Sequence, residues 1–126
     1  MKPDYWGPHA WKFLHYVCLN YPDNPTKDDT DAMKNYINSF SEIIPCPTCK
    51  SDFKKIIEEY DLNTILETRE SLFEWSVDVH NRVNAKLGKR TLSYTQALRL
   101  LTHPYVHNTH IRILILLCLL AFLLKR

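Results

Sequence analysis

Cys46-Pro47-Thr48-Cys49 sets two thiols three residues apart, a spacing at which a disulfide can close across one helical turn. At the start of a helix, free N–H groups and the positive end of the macrodipole favour a thiolate over a thiol. Pro45 and Pro47 fix the entry of the chain and remove N–H groups that would otherwise need partners. The pair is therefore suited to thiol–disulfide exchange. A structural zinc half-site is the alternative, and it needs two further ligands at sensible spacing. The chain has four cysteines, and the other two, Cys18 and Cys118, are isolated in sequence. Redox chemistry is the favoured reading, and no metal is expected.

A dithiol alone only exchanges disulfides; to generate them it needs an electron sink, usually a cofactor. Two further clusters could build such a site. One is Trp6-Gly7-Pro8-His9-Ala10-Trp11-Lys12-Phe13-Leu14-His15, and the other is Trp75 with the run from His80 to Lys89. Trp11 and His15 are four apart and share a helix face, as do His80 and Asn84. Aromatic rings can stack on a flat ring system, amides such as Asn81 and Asn84 can read its edges, and Lys86 and Lys89 can meet phosphates. Taken singly, each residue has a blander reading: a tryptophan in the core, a satisfied polar histidine, a solvated lysine pair. In combination they could build one cofactor site.

The elements that must position these groups are helical. Only two glycines, Gly7 and Gly88, are present, which disfavours a sheet of many tight turns. A first helix is expected from about Tyr5 to Asn20, with Trp6, Ala10, Phe13, Val17 and Tyr21 as its core stripe and Pro8 in its first turn. On that reading Trp11, His15 and Cys18 fall on another face, Cys18 as a buried, inert thiol. A second helix starts near Asp28 to Thr30 and ends before Pro45, its apolar face formed by Met33, Tyr36, Ile37, Phe40, Ile43 and Ile44. A third runs from the cysteine motif to about Tyr60, with Cys49, Phe53, Ile56, Ile57 and Tyr60 inward. A fourth covers roughly Glu70 to Leu87, buries Leu72, Trp75, Val79 and Val83, and ends at Gly88. A short fifth starts at Ser93, with Gln96 completing a capping box. The expected fold is all-α: a four-helix bundle with a short fifth helix and an apolar C-terminal helical tail.

The bundle is assigned to residues 1–102, a linker to 103–110 and the tail to 111–126. Ile113 to Leu124 is an unbroken apolar run of twelve residues. As a helix it would span about 18 Å, against roughly 30 Å of bilayer core. Membrane contact and burial in a core or oligomer interface are equally open for it. His103, His107 and His110 have metal-like spacing if helical, but Pro104 and polar neighbours favour a linker. Sixteen basic against fourteen acidic residues, a net charge of +2, give no nucleic-acid footprint. Met1 to Trp6 lacks the apolar run of a signal peptide, so nothing in it directs the chain to secretion.

Together these segments resemble the Erv/ALR family of FAD-linked sulfhydryl oxidases. The matching order is Trp6-Gly7, Trp11, Leu14-His15, Tyr21-Pro22, Cys46-Pro47-Thr48-Cys49, then Trp75 with His80-Asn81, Val83-Asn84 and Lys86-Leu87-Gly88-Lys89. The resemblance covers about residues 5 to 95 and is nearest to the compact forms encoded by large DNA viruses. It implies an FAD-dependent thiol oxidase that makes disulfides in substrate proteins. Cys49 would face the flavin, Cys46 would be the interchange cysteine, and molecular oxygen would be the final acceptor, giving hydrogen peroxide. It further implies FAD contacts from Gly7, Trp11, His15, Trp75, His80, Asn81, Asn84, Lys86 and Lys89, a homodimer, and a place in the host cytoplasm or virion. Phe53, one turn after Cys49, fits the core better than a flavin wall. Many cellular members carry another cysteine pair after the His-Asn motif and a distal shuttle pair; neither is visible in this chain. The substrate, a thioredoxin-like carrier for example, would then reduce Cys46–Cys49 directly. Two readings of other classes stand against this one. A zinc-stabilised or membrane-tethered interaction module would be colourless, and a flavin-free disulfide carrier would consume no oxygen.

Overall fold

A computed structural model describes residues 1–102. The expected linker and tail, with His103, His107, His110 and Cys118, lie outside the described residues. Six helices follow one another: α1 (Pro3–Leu19), α2 (Lys27–Ile43), α3 (Pro47–Ile57), α4 (Leu62–Ile65), α5 (Arg69–Lys86) and α6 (Tyr94–Thr102). The described residues contain no strand, as the all-α expectation requires. They fall in two compact units, Met1–Tyr94 and the segment from Thr95, so that α6 runs into the second. No helix among the described residues is long and apolar enough to cross a membrane.

Local chemistry explains where the helices of the first unit begin and stop. Thr26 and Asp29 form a capping box at the start of α2: Asp29 N–H donates to Thr26 Oγ1 at 3.2 Å, and Thr26 N–H donates to Asp29 Oδ2 at 2.9 Å. Thr68 and Ser71 do the same for α5. Asp61 caps the single turn of α4, a helix with no apolar period long enough to announce it. At the other end of α5, Gly88 takes φ +65°, the left-handed conformation that its missing Cβ allows. Gly88 N–H then reaches Ala85 O at 3.1 Å and Lys89 N–H reaches Asn84 O at 2.8 Å, which closes the helix as expected.

The core of this unit is built on α5. Its largest interface is with α1, and α3 and α4 also pack on it, while α2 packs on α3. Leu14, Cys18, Ile37, Leu66, Leu72, Trp75 and Val79 are buried almost completely. Tyr21, just past the end of α1, seals one edge: its hydroxyl donates to Leu66 O at 3.1 Å, and Arg69 Nε donates to Tyr21 O at 2.6 Å.

Three local expectations are corrected. The buried face of α1 is Gly7, Leu14, His15 and Cys18, whereas Phe13, expected inward, is 61% exposed. Leu14 and Cys18 pack inward because His15, on the same face, finds polar partners on α5. Pro8 lies in the second turn, since α1 already begins at Pro3, and its absent N–H leaves the Asp4 carbonyl without a helical donor on an exposed stretch. Ile43, at the last turn of α2, is 74% exposed, and Ile44 turns inward in its place because the chain leaves the helix between them. Leu14→Ala truncates a fully buried side chain of α1 and is expected to lower the unfolding free energy by about 2–5 kcal/mol in urea titration. A change below about 1 kcal/mol would mean that α1 is not packed through this face.

Candidate active site

The two cysteines of the motif are joined as a disulfide, with Cα atoms 5.2 Å apart. Cys46 is the N-cap of α3, and Pro47 follows at the first helical position, where it needs no donor. Cys46 Sγ accepts from Cys49 N–H at 3.2 Å and from the Thr48 hydroxyl at 3.3 Å. The sulfur therefore occupies the place a serine or aspartate oxygen takes in an ordinary cap. Once the disulfide is reduced, the same two donors and the helix dipole face the Cys46 thiolate.

One turn beyond Cys49, Phe53 is buried and ties α3 to a layer of rings. Its ring centroid is 5.5 Å from that of Phe40 and 6.0 Å from that of Trp11. Trp11 in turn stacks on His80 at 4.2 Å with planes 5° apart. His15 lies 5.2 Å from His80 and meets Phe73 edge-on. The disulfide helix and the two sequence clusters on α1 and α5 thus converge through one aromatic contact.

Behind this layer runs a buried chain of hydrogen bonds. His80 Nδ1 lies 2.9 Å from His15 Nε2, and His15 Nδ1 lies 2.9 Å from Ser76 Oγ. Ser76 donates to Phe73 O at 2.7 Å. Burial holds His15 neutral, its pKa lowered to about 4, with His80 adding to the effect. Burial likewise lowers His80 to about 4, assisted by the Lys89 charge. Cys18 is fully buried, and its thiol is pushed up to about 12 by burial, which outweighs its hydrogen bond to Ser76. The expectation that this thiol is buried holds. Ser76 itself escaped the sequence reading, although its four-residue spacing from His80 on one helix face was available to find it.

The remaining candidates are distributed around this centre. Trp75 is buried on α5, and its indole N–H has no hydrogen-bond partner among the described residues. Asn81 holds the chain after Gly88: its amide donates to Leu92 O at 2.8 Å and accepts from Leu92 N–H at 3.0 Å. Asn84 sits half-buried on α5, where its carbonyl takes the closing bonds of the helix. Lys86 pairs with Asp52 of α3 at 2.6 Å, and Lys89 is exposed beside His80. Gly7 is buried within α1, yet a Cβ built on it would meet nothing within 4 Å. No group of three or more His, Cys, Asp or Glu among the described residues is placed to hold a metal ion.

These residues fit a flat cofactor carrying phosphates. Neutral rings on α1 and α5 offer stacking surface, the Trp75 N–H is an unspent donor, Gly7 leaves room for close approach, and Lys89 supplies positive charge at the rim.

Residues 8–102 match the model of the Erv1 / Alr family. A probable FAD-linked sulfhydryl oxidase of Acanthamoeba polyphaga mimivirus is 37% identical over 99 residues, covering 78% of this chain and 69% of that protein. The mitochondrial FAD-linked sulfhydryl oxidase of Saccharomyces cerevisiae is 42% identical over 83 residues, 66% of this chain and 43% of its own length. This chain thus spans less than half of that yeast protein. The crystal structure of the FAD binding domain of Erv1 from Saccharomyces cerevisiae superposes with a TM-score of 0.74 at 36% identity, over 81% of this chain and 96% of that one. The match extends from α1 through the cysteine motif to α6, and on it the chain belongs to the Erv1 / Alr family.

Proposed function

We propose that this protein oxidises the thiols of substrate proteins to disulfides, with Cys46–Cys49 as the exchanging pair and FAD as its cofactor. It is an FAD-linked thiol oxidase, and the observation that carries the assignment of its site is the seating of the disulfide. Cys46–Cys49 opens α3, and the next turn of α3 packs Phe53 on the Trp11–His80 layer.

The chain's own steps follow from sulfur chemistry. A substrate thiolate attacks Cys46 Sγ, the Cys46–Cys49 bond breaks, and a mixed disulfide forms while Cys49 leaves as thiolate. A second substrate thiolate attacks the substrate sulfur of that mixed disulfide, forms the product disulfide and releases Cys46 as thiolate. The cap donors Cys49 N–H and Thr48 O–H lower the basicity of Cys46 and so ease this second departure. FAD, when bound, would supply the sink for the two electrons of the reduced pair, with molecular oxygen as the final acceptor and hydrogen peroxide as its product. Trp11, His15, Trp75 and His80 would hold its ring systems, Asn84 its edges, and Lys86 and Lys89 its phosphates. Asn81 would act by fixing the segment that follows Gly88. Cys49 is assigned as the flavin-facing cysteine because it is the one nearer in sequence to Phe53, on the same helix face.

Among the described residues the one other cysteine, Cys18, is buried, so substrate contact is assigned to Cys46–Cys49 directly. A small thioredoxin-like dithiol protein suits such a site, since two thiolates must arrive in succession on one partner. The likeness to the mimivirus protein favours work in the host cytoplasm or virion. A homodimer belongs to the same reading, and the exposed Tyr5 and Phe13 of α1 provide apolar surface for it.

Oxygen consumption and peroxide release with a reduced dithiol protein test this reading. Cys49→Ser is expected to lower turnover by roughly 10³-fold or more while FAD stays bound; unchanged turnover would sink the assignment. Gly7→Ala is expected to weaken FAD binding without loss of fold stability, because alanine is the better helix former by about 0.5–1 kcal/mol and meets no neighbour. A variant that binds FAD as well as the parent would remove Gly7 from the site. His15, buried, and His80, half-buried, also fix a pH dependence. Their folded pKa values, about 4, lie below the ordinary 6.5, so the unfolded chain takes up protons first as pH falls. The stability they contribute is complete above about 6.5 and is lost progressively towards about 4. The melting temperature should therefore drop between pH 7 and pH 5, and a flat profile across that range would contradict neutral, buried rings.

A further inference from the structure

Ser76 occupies the inner end of the buried chain, and its hydrogen bonds have a direction. The hydroxyl has one proton, and it is given to Phe73 O at 2.7 Å. Its oxygen is then left as an acceptor for its other neighbour, His15 Nδ1, at 2.9 Å. A serine hydroxyl has a single proton to give, and here it is already spent. His15 must accordingly carry its proton on Nδ1. A neutral imidazole has only one N–H, so His15 Nε2 is bare. The bare nitrogen accepts at 2.9 Å from His80 Nδ1, which must be the protonated nitrogen of that ring. His80 Nε2 is then bare as well, on the half-buried ring that stacks against Trp11.

We propose that Ser76 is a positioning residue that sets the tautomer of His80 through His15, so that His80 presents an unprotonated Nε2 to accept from an N–H or O–H donor of the bound cofactor. The inference rests on the FAD reading above. It assigns His80 more than a stacking surface, since a bare Nε2 selects a donor and repels an acceptor at the same place. The Lys89 charge beside His80 works in the same sense, because it opposes the cation that would put protons on both nitrogens. Without Ser76 Oγ, His15 Nδ1 has no acceptor, and the chain is free to reverse. His15 Nε2–H would then donate to His80 Nδ1, and His80 would carry its proton on Nε2.

The test is two measurements on the full-length flavoprotein and its Ser76→Ala variant. Long-range ¹H–¹⁵N correlation of the imidazole nitrogens reads the tautomers, and flavin fluorescence on titration of the FAD-depleted protein reads affinity. The parent should show His80 protonated on Nδ1 and bare on Nε2. Ser76→Ala should invert this and weaken FAD by about tenfold, the cost of roughly one hydrogen bond. Ser76→Thr, which keeps the hydroxyl, should restore both. A parent with a proton on His80 Nε2 overturns the proposal without any variant. So does a Ser76→Ala protein in which either the tautomer or the affinity is unchanged, since only the paired change supports it. A parent that binds no FAD would refute the functional reading instead, and the tautomer measurement would still decide the direction of the chain.

Discussion

Burying His15 on the inner face of α1 obliges the opposing helix to provide a hydrogen-bond partner at each ring nitrogen. Leaving either one unpaired would cost on the order of 1–3 kcal/mol. The partners are Ser76 and His80, one turn apart on α5, and they fix the rotation of α1 on α5. That rotation places Leu14 and Cys18 in the core, puts Trp11 flat on His80, and leaves Phe13 facing out. The rings stay neutral because the core around them is apolar, which is also what makes them a stacking surface rather than an anion site.

The disulfide is held differently. Its geometry comes from the start of α3, where Pro47 and the Cys46 cap define one turn, and its location comes from Phe53 four residues after Cys49. The ion pairs Lys86–Asp52, Lys50–Glu42 and Lys54–Glu42 link α3 to α5 and α2 on the solvent side. Such exposed pairs add little stability, a median of about 0–1 kcal/mol each, so the aromatic contact carries the docking of α3. Cysteine reactivity and cofactor layer are thus coupled by packing and not by a shared network of charges.

Much of this was legible in the residues. The cysteine pair declares itself because a disulfide depends on spacing, and helical spacing alone links Trp11 to His15 and His80 to Asn84. Gly88 announced the end of α5 because few other residues take a positive φ. The face of α1 was not legible. With Trp6, Trp11, Phe13, Leu14, Tyr16 and Val17 spread around one helix, apolar periodicity selects no side. The decision is made by Ser76, 61 residues away, whose hydroxyl accepts from His15. A buried polar group on a helix is invisible until its partner is known, and Ser76 is such a group. Asn81 and Lys86 were legible as functional side chains, but what they touch, Leu92 and Asp52, depends on how the chain returns after Gly88 and how α3 docks.

The central claim is that the Cys46–Cys49 dithiol and a bound flavin exchange electrons within one protein. Anaerobic titration of the purified protein with dithiothreitol, followed by its visible absorption spectrum, tests this most directly. The account predicts flavin bands that bleach as dithiol is added and return on admission of air, and a Cys49→Ser protein whose bands resist bleaching under the same conditions. A protein that remains colourless after incubation with excess FAD would contradict it, as would a flavin that bleaches equally well without Cys49.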